Sequence, residues 1–591
     1  MSSPVVPLRR EARAAVRWSP ALRAKATGPA ATGPAATGPA ATGELDLVDV
    51  SPFGAGLRDP ALAVDWQVGE VLALQLALGT AAHARTGRIV WRRDEADGRR
   101  FGVRFEGAGG TPPPPLLLDL DGVRPDPRYA LRLPAAQAMR RRMLPLCQLQ
   151  GHVVVACADL TDSAGLAAVA RLFDLPLRPQ AVDGEQLQRL LRAVHGEARA
   201  TSEAAADDPV ALCNEVLHAA FLQRASDVHL CPERDGLLVR LRVDGQLEDY
   251  RRLGKDVQSE LLSRIKVLAG MDIAEKRAPQ DGRFTHEVAP GRRFDVRVAT
   301  LPTNHGERAT LRLLAIEVDT LTLDGLGLLA DDFALCQKQL QRPHGLIVAT
   351  GPTGCGKTTT LFAMLRTIVA ARKVNVIAVQ EPVEVDFPGI SQVEVDAGRK
   401  VSFATALRSI MRHDPDVIMI GEIRDLETAG IAVKAALTGH LVLATLHTND
   451  AASTVTRLVD MGVERYLLAS TLRLVLAQRL VRRLCPHCRA PQPLDVDTAQ
   501  VLRRPDLVGS RVFAPVGCVA CAGVGHRGRT GLFELLPVDA ALAAAIRGGA
   551  DEEQLRTLAA AAGCARLRDD AVHKLQRGDT GCVQVVEALA D

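Results

Sequence analysis

The chain has 591 residues, of which 47% are hydrophobic and 3% aromatic, and its formal net charge is +3. The near-neutral charge gives no global case for nucleic-acid binding, and the scarcity of aromatics argues against a base-stacking surface for single strands. There is no uninterrupted apolar run of about 18 residues and no secretory signal at the N-terminus, so we expect a cytoplasmic protein of about four domains.

Three breaks in composition divide the N-terminal part of the chain. Residues 27–43 repeat Thr-Gly-Pro-Ala-Ala and are expected to form a flexible loop. Residues 107–115 end in four prolines and read as a stiff spacer, and residues 197–209 are rich in alanine and acids. These breaks predict three units before a larger C-terminal portion.

The first two units have different hydrophobic patterns. Before the proline spacer, short strand patterns favour an all-β barrel. After it, a strand at 151–156 is followed by two helical patterns, which favours a small α/β domain. The barrel strands are predicted at 71–78, 87–91 and 101–105, and the helices at 163–172 and 184–195.

The third unit opens with a helix at 209–224 and contains strands at 236–243 and 293–299. Arginines alternate with apolar residues in these strands. They form either the solvated face of a sheet or arginine fingers offered to a phosphate across an interface, and composition alone favours the first. The arginines are Arg240, Arg242, Arg264, Arg277, Arg283, Arg297, Arg308 and Arg312.

The C-terminal portion begins with a phosphate-binding loop of the pattern G-x-x-x-x-G-K-[ST]. An apolar strand at 345–350 precedes it and a helical pattern at 361–369 follows, so bound phosphates would lie at a helix N-terminus. The lysine would reach the β- and γ-phosphates and the first threonine would ligate Mg²⁺. The predicted ATP-binding residues are Gly351, Pro352, Thr353, Gly354, Cys355, Gly356, Lys357, Thr358 and Thr359.

Acids and histidines at strand ends follow the loop. Glu422 ends a strand at 416–422, the usual place for a Mg²⁺-linked carboxylate. Glu381 and Glu384 follow another strand, and either could polarise an attacking water. His440 and His447 flank a third strand, where they either sense the γ-phosphate or are structural.

Two CxxC pairs predict a metal site. Four thiolates from two knuckles make a closed tetrahedral shell for Zn²⁺, so its role would be structural. Redox pairs are the alternative. The predicted ligands are Cys485, Cys488, Cys518 and Cys521.

In this order the motifs resemble the assembly ATPases of type II secretion systems and type IV pili. The resemblance covers roughly 210–591 and includes Ala225-Ser-Asp-Val-His229, Gln280-Asp-Gly-Arg283 and Gly525-His-Arg-Gly-Arg529. It implies that Glu384 activates water and that Glu422 is an atypical Walker B acid. It also implies that His440 and His447 form a histidine box.

The resemblance further implies that Arg283 and Arg297 complete the site across a domain or subunit interface. One departure concerns the acidic box, which in the family usually reads Glu-Asp-Pro-x-Glu and here reads Gln380-Glu-Pro-Val-Glu384. The final glutamate survives, so hydrolysis is expected, and metal affinity and rate are the properties that the departure affects.

The first unit resembles a PilZ domain, a receptor for cyclic di-GMP. Arg9, Arg10 and Arg13 match its R-x-x-x-R arm, while Asp49, Ser51 and Gly54 match its D-x-S-x-x-G turn. Arginines that meet phosphates and stack on guanines suit such a ligand.

The predicted fold is multidomain α/β, with a RecA-like P-loop ATPase core preceded by a PAS-like α+β domain, a small α/β domain and a PilZ-like β-barrel. The expected domains are 1–108 (barrel), 134–198 (small domain), 209–322 (PAS-like) and 323–591 (ATPase with the Cys₄ insert), with linkers at 109–133 and 199–208.

The predicted function is an ATP-driven motor for pseudopilus or pilus assembly, regulated by cyclic di-GMP. The resemblance implies a homo-hexamer that works with an inner-membrane platform protein and with the cytoplasmic domain of a membrane-anchored assembly protein. Three alternatives stay open: a pilus retraction motor, a nucleic-acid translocase, and a cyclic di-GMP-responsive module with a weak ATPase. Retraction motors lack the long N-terminal extension and the Cys₄ insert.

Overall fold

The computed structural model describes residues 23–28, 41–51, 54–59, 71–78, 81–95, 98–106, 117–195, 208–289, 292–314, 322–396 and 401–590. The chain forms two compact units. The first comprises Met1–Leu313, Leu484–Pro491 and Ala514–Arg527, and the second comprises Leu314–Arg483, Gln492–Phe513 and Gly528–Asp591.

A closed antiparallel barrel opens the first unit, as the strand patterns predicted. Its strand order is β1-β2-β3-β6-β5-β4. The hairpin of the first two strands pairs Gly28 with Ala41 and Thr27 with Thr42, so both ends of the repeat at 27–43, predicted as a loop, belong to strands. The strands are β1 (Arg23–Gly28), β2 (Ala41–Ser51), β3 (Gly54–Asp59), β4 (Val71–Leu78), β5 (Ala81–Glu95) and β6 (Gly98–Glu106).

A small α/β domain follows, in which the central strand pairs antiparallel with one neighbour and parallel with the other. Its elements are α1 (Pro127–Ala130), α2 (Ala135–Arg141), β7 (Met143–Leu149), β8 (His152–Cys157), α3 (Ser163–Ala170), β9 (Leu177–Ala181) and α4 (Gly184–His195).

The predicted linker at 109–133 needs correction where the structure describes it. Leu120 and Leu133 are at most 4% exposed and belong to the core of the small domain. The prolines at 112–115 led to the prediction of a linker, but the apolar residues that follow residue 117 pack into the core of the small domain. Residues 117–133 are therefore part of the domain.

The third part of the first unit is a six-stranded sheet in the order β12-β11-β10-β15-β14-β13. Two helices pack on its apolar face, and arginines line strands on the other. The elements are α5 (Pro209–Leu222), β10 (Asp227–Glu233), β11 (Gly236–Val243), β12 (Gln246–Leu253), α6 (Lys255–Leu268), β13 (Gln280–Ala289), β14 (Arg292–Thr303) and β15 (Gly306–Leu314).

The second unit is built on a seven-stranded sheet in the order β18-β17-β19-β20-β16-β21-β24. The pairs from β18 to β21 are parallel, and apolar clusters cover both faces. The elements up to the fourth strand are α7 (Ala330–Leu340), β16 (Gly345–Thr350), α8 (Lys357–Ala371), β17 (Val376–Gln380), β18 (Ser391–Glu394), α9 (Phe403–Ile410) and β19 (Val417–Ile420).

The remaining elements end in four helices at the C-terminus. Among the described residues, every helix is too short or too polar to span a bilayer. The elements are α10 (Leu426–Leu437), β20 (Leu441–Leu446), α11 (Ala451–Asp460), α12 (Arg465–Thr471), β21 (Leu472–Leu484), β22 (Ala490–Pro493), α13 (Val496–Val501), β23 (Arg511–Ala514), β24 (His526–Pro537), α14 (Ala540–Gly548), α15 (Glu552–Ala561), α16 (Leu567–Arg577) and α17 (Cys582–Leu589).

Candidate nucleotide site

The phosphate-binding loop joins the buried strand β16 to helix α8, as predicted from its flanks. Gly351, Gly354 and Gly356 have φ values of 145°, 77° and 90°, which side chains of L-residues disfavour. A Cβ at Gly351 would lie 2.4 Å from the Gln478 carbonyl oxygen. The loop therefore needs glycine both for its backbone turn and for its close approach to β21.

The Lys357 side chain lies inside this loop. Its Nζ donates to the carbonyl oxygens of Gly351 at 2.7 Å and Pro352 at 3.0 Å, and it lies 3.4 Å from His447 Nδ1. Burial lowers the pKa of Lys357, and the Cys355 thiol and the Glu422 carboxylate act in the opposite direction. A triphosphate would add the negative charge that favours the ammonium form.

A chain of charged groups leads from the loop to the acidic box. His447 Nε2 lies 3.1 Å from one Glu422 oxygen, and Arg424 is 2.9 Å from the other. Arg424 also donates to Glu381 at 2.7 Å. The hydrogen bond to Glu422 raises the pKa of Arg424. These residues all follow the carboxyl ends of β17, β19 and β20, which meet at one edge of a parallel sheet.

Glu384 lies in the loop that follows β17. Among the residues that the structure describes, its carboxylate has no hydrogen-bond or ion-pair partner. Gln380, the residue that departs from the family pattern, is 3% exposed. Its Oε1 accepts from Gln392 Nε2 at 2.8 Å. Gln380 is therefore a buried amide whose side-chain oxygen is bound by Gln392.

The two histidines of the box lie at opposite ends of strand β20. His440 precedes β20 and its Nδ1 lies 3.0 Å from the Ala435 carbonyl, whereas His447 follows the strand. The six residues of β20 span about 20 Å. The structure therefore does not bring His440 to the phosphate loop of its own subunit. Of the two predicted histidines, only His447 lies beside Lys357.

Sequence reasoning missed the contacts of three residues that hold the loop and its flanks, Gln478, Thr350 and Thr448. Gln478, on β21 and 2% exposed, donates to the Cys355 carbonyl at 2.7 Å and accepts from Thr360 at 2.8 Å. The hydroxyl groups of Thr350 and Thr448 lie 2.7 Å apart and tie β16 to the segment after His447. The long sequence separations hide both contacts, although a buried glutamine in an apolar strand is a recognisable signal.

Arg283 and Arg297 lie on the first unit, directly opposite each other in the register of β13 and β14. Arg283 is exposed and Arg297 is half-buried. Like charges opposite each other destabilise a sheet by a few tenths of a kcal/mol up to about 1 kcal/mol. Such a pair gains from an anion that binds between the two guanidinium groups.

The predicted cyclic di-GMP residues are only partly described. Arg9, Arg10 and Arg13 lie outside the described residues. Asp49 and Ser51 lie on β2, and the hairpin register pairs Ser51 with Gly54, the first residue of β3. The predicted polar turn thus connects two neighbouring barrel strands.

The four predicted metal ligands converge in the first unit. Three of the S···S distances are 3.8 Å, and all four Sγ atoms lie within 4.8 Å of one another. Tetrahedral Zn²⁺ with Zn–S bonds of about 2.3 Å requires S···S distances of about 3.8 Å. The backbone N–H groups of Gly517 and Gly525 donate to Cys488 and Cys521 at 3.3 and 3.2 Å. The ligands are Cys485, Cys488, Cys518 and Cys521, and they fit zinc.

The Cys₄ segment packs on the small α/β domain of the same unit. Val519 is 5% exposed and belongs to that domain's core, with Ala522 beside it. A Cβ at Gly523 would lie 3.0 Å from the Gln148 carbonyl oxygen. The segment therefore supplies part of the wall of another domain's core.

The parallel sheet, the phosphate loop and the acids at its carboxyl edge define a RecA-like P-loop ATPase. Three family models match consecutive parts of the chain: a PilZ domain at residues 8–110, an MshEN domain at 110–201, and the family described as Type II/IV secretion system protein at 203–587. The last match covers more than half of the chain, which therefore belongs to the type II/IV secretion system protein family.

Individual relatives agree with this membership. HxcR, a type II secretion system protein of Pseudomonas aeruginosa, is 48% identical over 382 residues, covering 65% of this chain and 77% of the relative. A type II secretion system protein E of Aeromonas hydrophila is 44% identical over 504 residues, covering 83% and 95%. The type IV pilus assembly ATPase PilB of Thermus thermophilus is 37% identical over 488 residues, covering 78% and 55%.

Proposed function

We propose that this ATPase is the motor that drives assembly of a pseudopilus or pilus, and that it serves type II secretion in particular. The observation that supports a motor is the series of side-chain contacts from Lys357 through His447 and Glu422 to Arg424. It links the phosphate loop to the acidic box at one sheet edge. The choice of type II secretion rests on the higher identity to HxcR than to PilB.

Each residue of the site has a distinct proposed role. Lys357 and the loop amides bind the β- and γ-phosphates, and Thr358 and Glu422 would hold Mg²⁺, which offsets the charge of the triphosphate. His447 contacts Lys357 with one ring nitrogen and Glu422 with the other, so a change of charge at one residue can alter the hydrogen bond to the other. Glu384 orients and polarises the attacking water.

Phosphate release by the purified full-length protein tests this site. Lys357→Ala and Glu384→Gln should each abolish ATP-dependent release, while Glu384→Gln should retain ATP binding because only the water position loses its base. Glu553→Gln, which changes a glutamate whose side chain is 76% exposed, is the matched control. Full activity of Glu384→Gln would transfer the catalytic role to another acid.

The active form is proposed to be a homo-hexamer in which Arg283 and Arg297 reach the γ-phosphate of a neighbouring subunit. One such arginine can contribute about 10³-fold or more to turnover. Mixing Lys357→Ala subunits with Arg283→Ala subunits should restore part of the activity, because some interfaces then contain one intact site. If no mixing ratio restored activity, Arg283 would act on the nucleotide bound by its own subunit and not on that of a neighbour.

The motor would work at an inner-membrane platform protein, together with the cytoplasmic domain of a membrane-anchored assembly protein. A cytoplasmic fragment of the platform protein should therefore stimulate turnover severalfold, and DNA should not. The reverse result would favour a nucleic-acid translocase.

The barrel and the Cys₄ site complete the proposal. The match to a PilZ domain supports cyclic di-GMP binding, with regulation of the motor as its purpose. Calorimetry should detect binding that the double variant Arg9→Ala, Arg13→Ala abolishes, and no heat at high ligand excess would contradict it.

The four cysteines would hold a structural Zn²⁺, detectable as one equivalent of zinc by elemental analysis.

A further inference from the structure

The side chain of Gln392 on β18 makes three hydrogen bonds around the loop that carries Glu384. Gln392 Nε2 donates to Gln380 Oε1 and to the Val385 carbonyl oxygen, each at 2.8 Å. Its Oε1 accepts from the Phe387 backbone N–H at 2.8 Å. The amide therefore binds the end of β17 and both flanks of the turn that follows Glu384.

Only a glutamine amide in this orientation satisfies all three partners. The Gln380 and Val385 oxygens are acceptors and the Phe387 N–H is a donor. If the O and N of the Gln392 amide were exchanged, its oxygen would face two acceptors and its NH₂ would face a donor. A carboxylate at 392 would face two acceptors without a proton to donate. The neutral Gln380 suits this position because its Oε1 accepts from Gln392 without placing a charge in a buried site.

A second contact fixes the same loop to the helix of the phosphate site. The Phe387 ring stacks on Phe362 of α8 with a centroid separation of 5.2 Å and an interplanar angle of 7°. Both residues are at most 5% exposed. Because α8 begins at Lys357, the amide and the aromatic stack together set the position of the Glu384 loop relative to the phosphates.

We propose that Gln392, with Gln380 as its partner, is the positioning residue for Glu384. It holds the backbone beside Glu384 so that the carboxylate meets the attacking water in a productive geometry. This inference rests on the proposed role of Glu384 in hydrolysis. It also accounts for the Gln380 departure, since Gln380 belongs to the structural clasp rather than to the metal site.

The test separates chemistry from binding. Gln392→Met keeps the length of the side chain and loses all three hydrogen bonds. Single-turnover phosphate release should fall about 10²-fold, the cost expected of a misplacement of about 1 Å. The Kd for ATP should change less than about twofold, because the phosphate loop is untouched. Gln500→Met, at an exposed helical glutamine of α13, is the control.

Two further variants exclude a merely structural effect. Gln380→Met removes one of the three partners of Gln392 and should lower single-turnover release by less than Gln392→Met does, because the hydrogen bonds to Val385 and Phe387 remain. In a Glu384→Gln background, Gln392→Met should leave the Kd for ATP within about twofold, since the residue acts on hydrolysis through Glu384 and not on nucleotide binding.

The outcomes are distinguishable from failure of the proposed function. If Glu384→Gln hydrolyses ATP at the parent rate, the role of Glu384 fails and this inference with it. If Glu384 is essential but Gln392→Met keeps the parent turnover, or raises KM while kcat is unchanged, the positioning role of Gln392 is overturned and the function stands.

Discussion

Lys574 on helix α16 forms a buried ion pair whose loss should destabilise the ATPase unit by a predictable amount. Its Nζ lies 2.6 Å from Asp570 Oδ2 and 2.6 Å from the Gly531 carbonyl oxygen. Asp570 Oδ2 also accepts from the Phe533 N–H at 2.7 Å. The two charged side chains are 3% and 1% exposed. The pair thus fastens α16 to strand β24.

Lys574→Met removes the cation and leaves a buried carboxylate without compensation. Breaking a buried pair from one side costs about 3–5 kcal/mol, which for a unit of this size is a fall of roughly 6–20 °C in melting temperature. The double variant Asp570→Asn, Lys574→Met removes both charges and keeps an acceptor for Phe533. It should recover most of the loss, to within about 1–2 kcal/mol of the parent.

The assay is calorimetric melting of the full-length protein at two pH values, with loss of ATPase activity marking the transition of this unit. Burial raises the pKa of Asp570. Without Lys574 the carboxyl should take up a proton more readily, so the single variant should lose less stability at pH 5 than at pH 8. A double variant as unstable as Lys574→Met, at both pH values, would refute the electrostatic reasoning.

Three other perturbations have expected outcomes. Gln478→Leu leaves the Cys355 carbonyl without its donor, which costs about 1–3 kcal/mol, so titration calorimetry should show ATP binding weakened roughly tenfold. Burial, with Asp570 adding to it, raises the pKa of Asp332 from 3.8 to about 6. Stability is therefore lost as the pH rises through this window, and Asp332→Asn should raise the melting temperature at pH 8 and leave it unchanged at pH 4. Cys518→Ser should abolish zinc binding and speed hydrogen exchange in β7, against which the Cys₄ segment packs.

Local patterns were enough to predict the elements of the phosphate site. The sequence around Gly351 and Lys357 contains the strand, the glycine turn and the helix start within a few residues, and the structure has all three. The convergence of the two CxxC pairs was also predictable, because few other arrangements satisfy four closely spaced thiols.

Residues that act through distant partners could not be found in this way. Gln478 reaches Cys355 in the loop from 123 residues away along the chain. Gln392 is one polar residue in a short edge strand, and only the folded turn shows that its amide meets three partners. His440 and His447 were predicted to flank one strand, but only the structure shows that His447, at the carboxyl end of β20, is the one that reaches Lys357.

The Cys₄ segment has a consequence for how the protein is made. Arg527 closes the first unit about 330 residues after the small domain ends at His195. At roughly 5–20 residues per second, the ribosome needs on the order of 15–65 s to supply the segment whose Val519 fills part of that domain's core. Until then, apolar surface that will be covered in the mature protein is open to chaperones. A recombinant N-terminal fragment that stops before Ala514 keeps that surface open permanently.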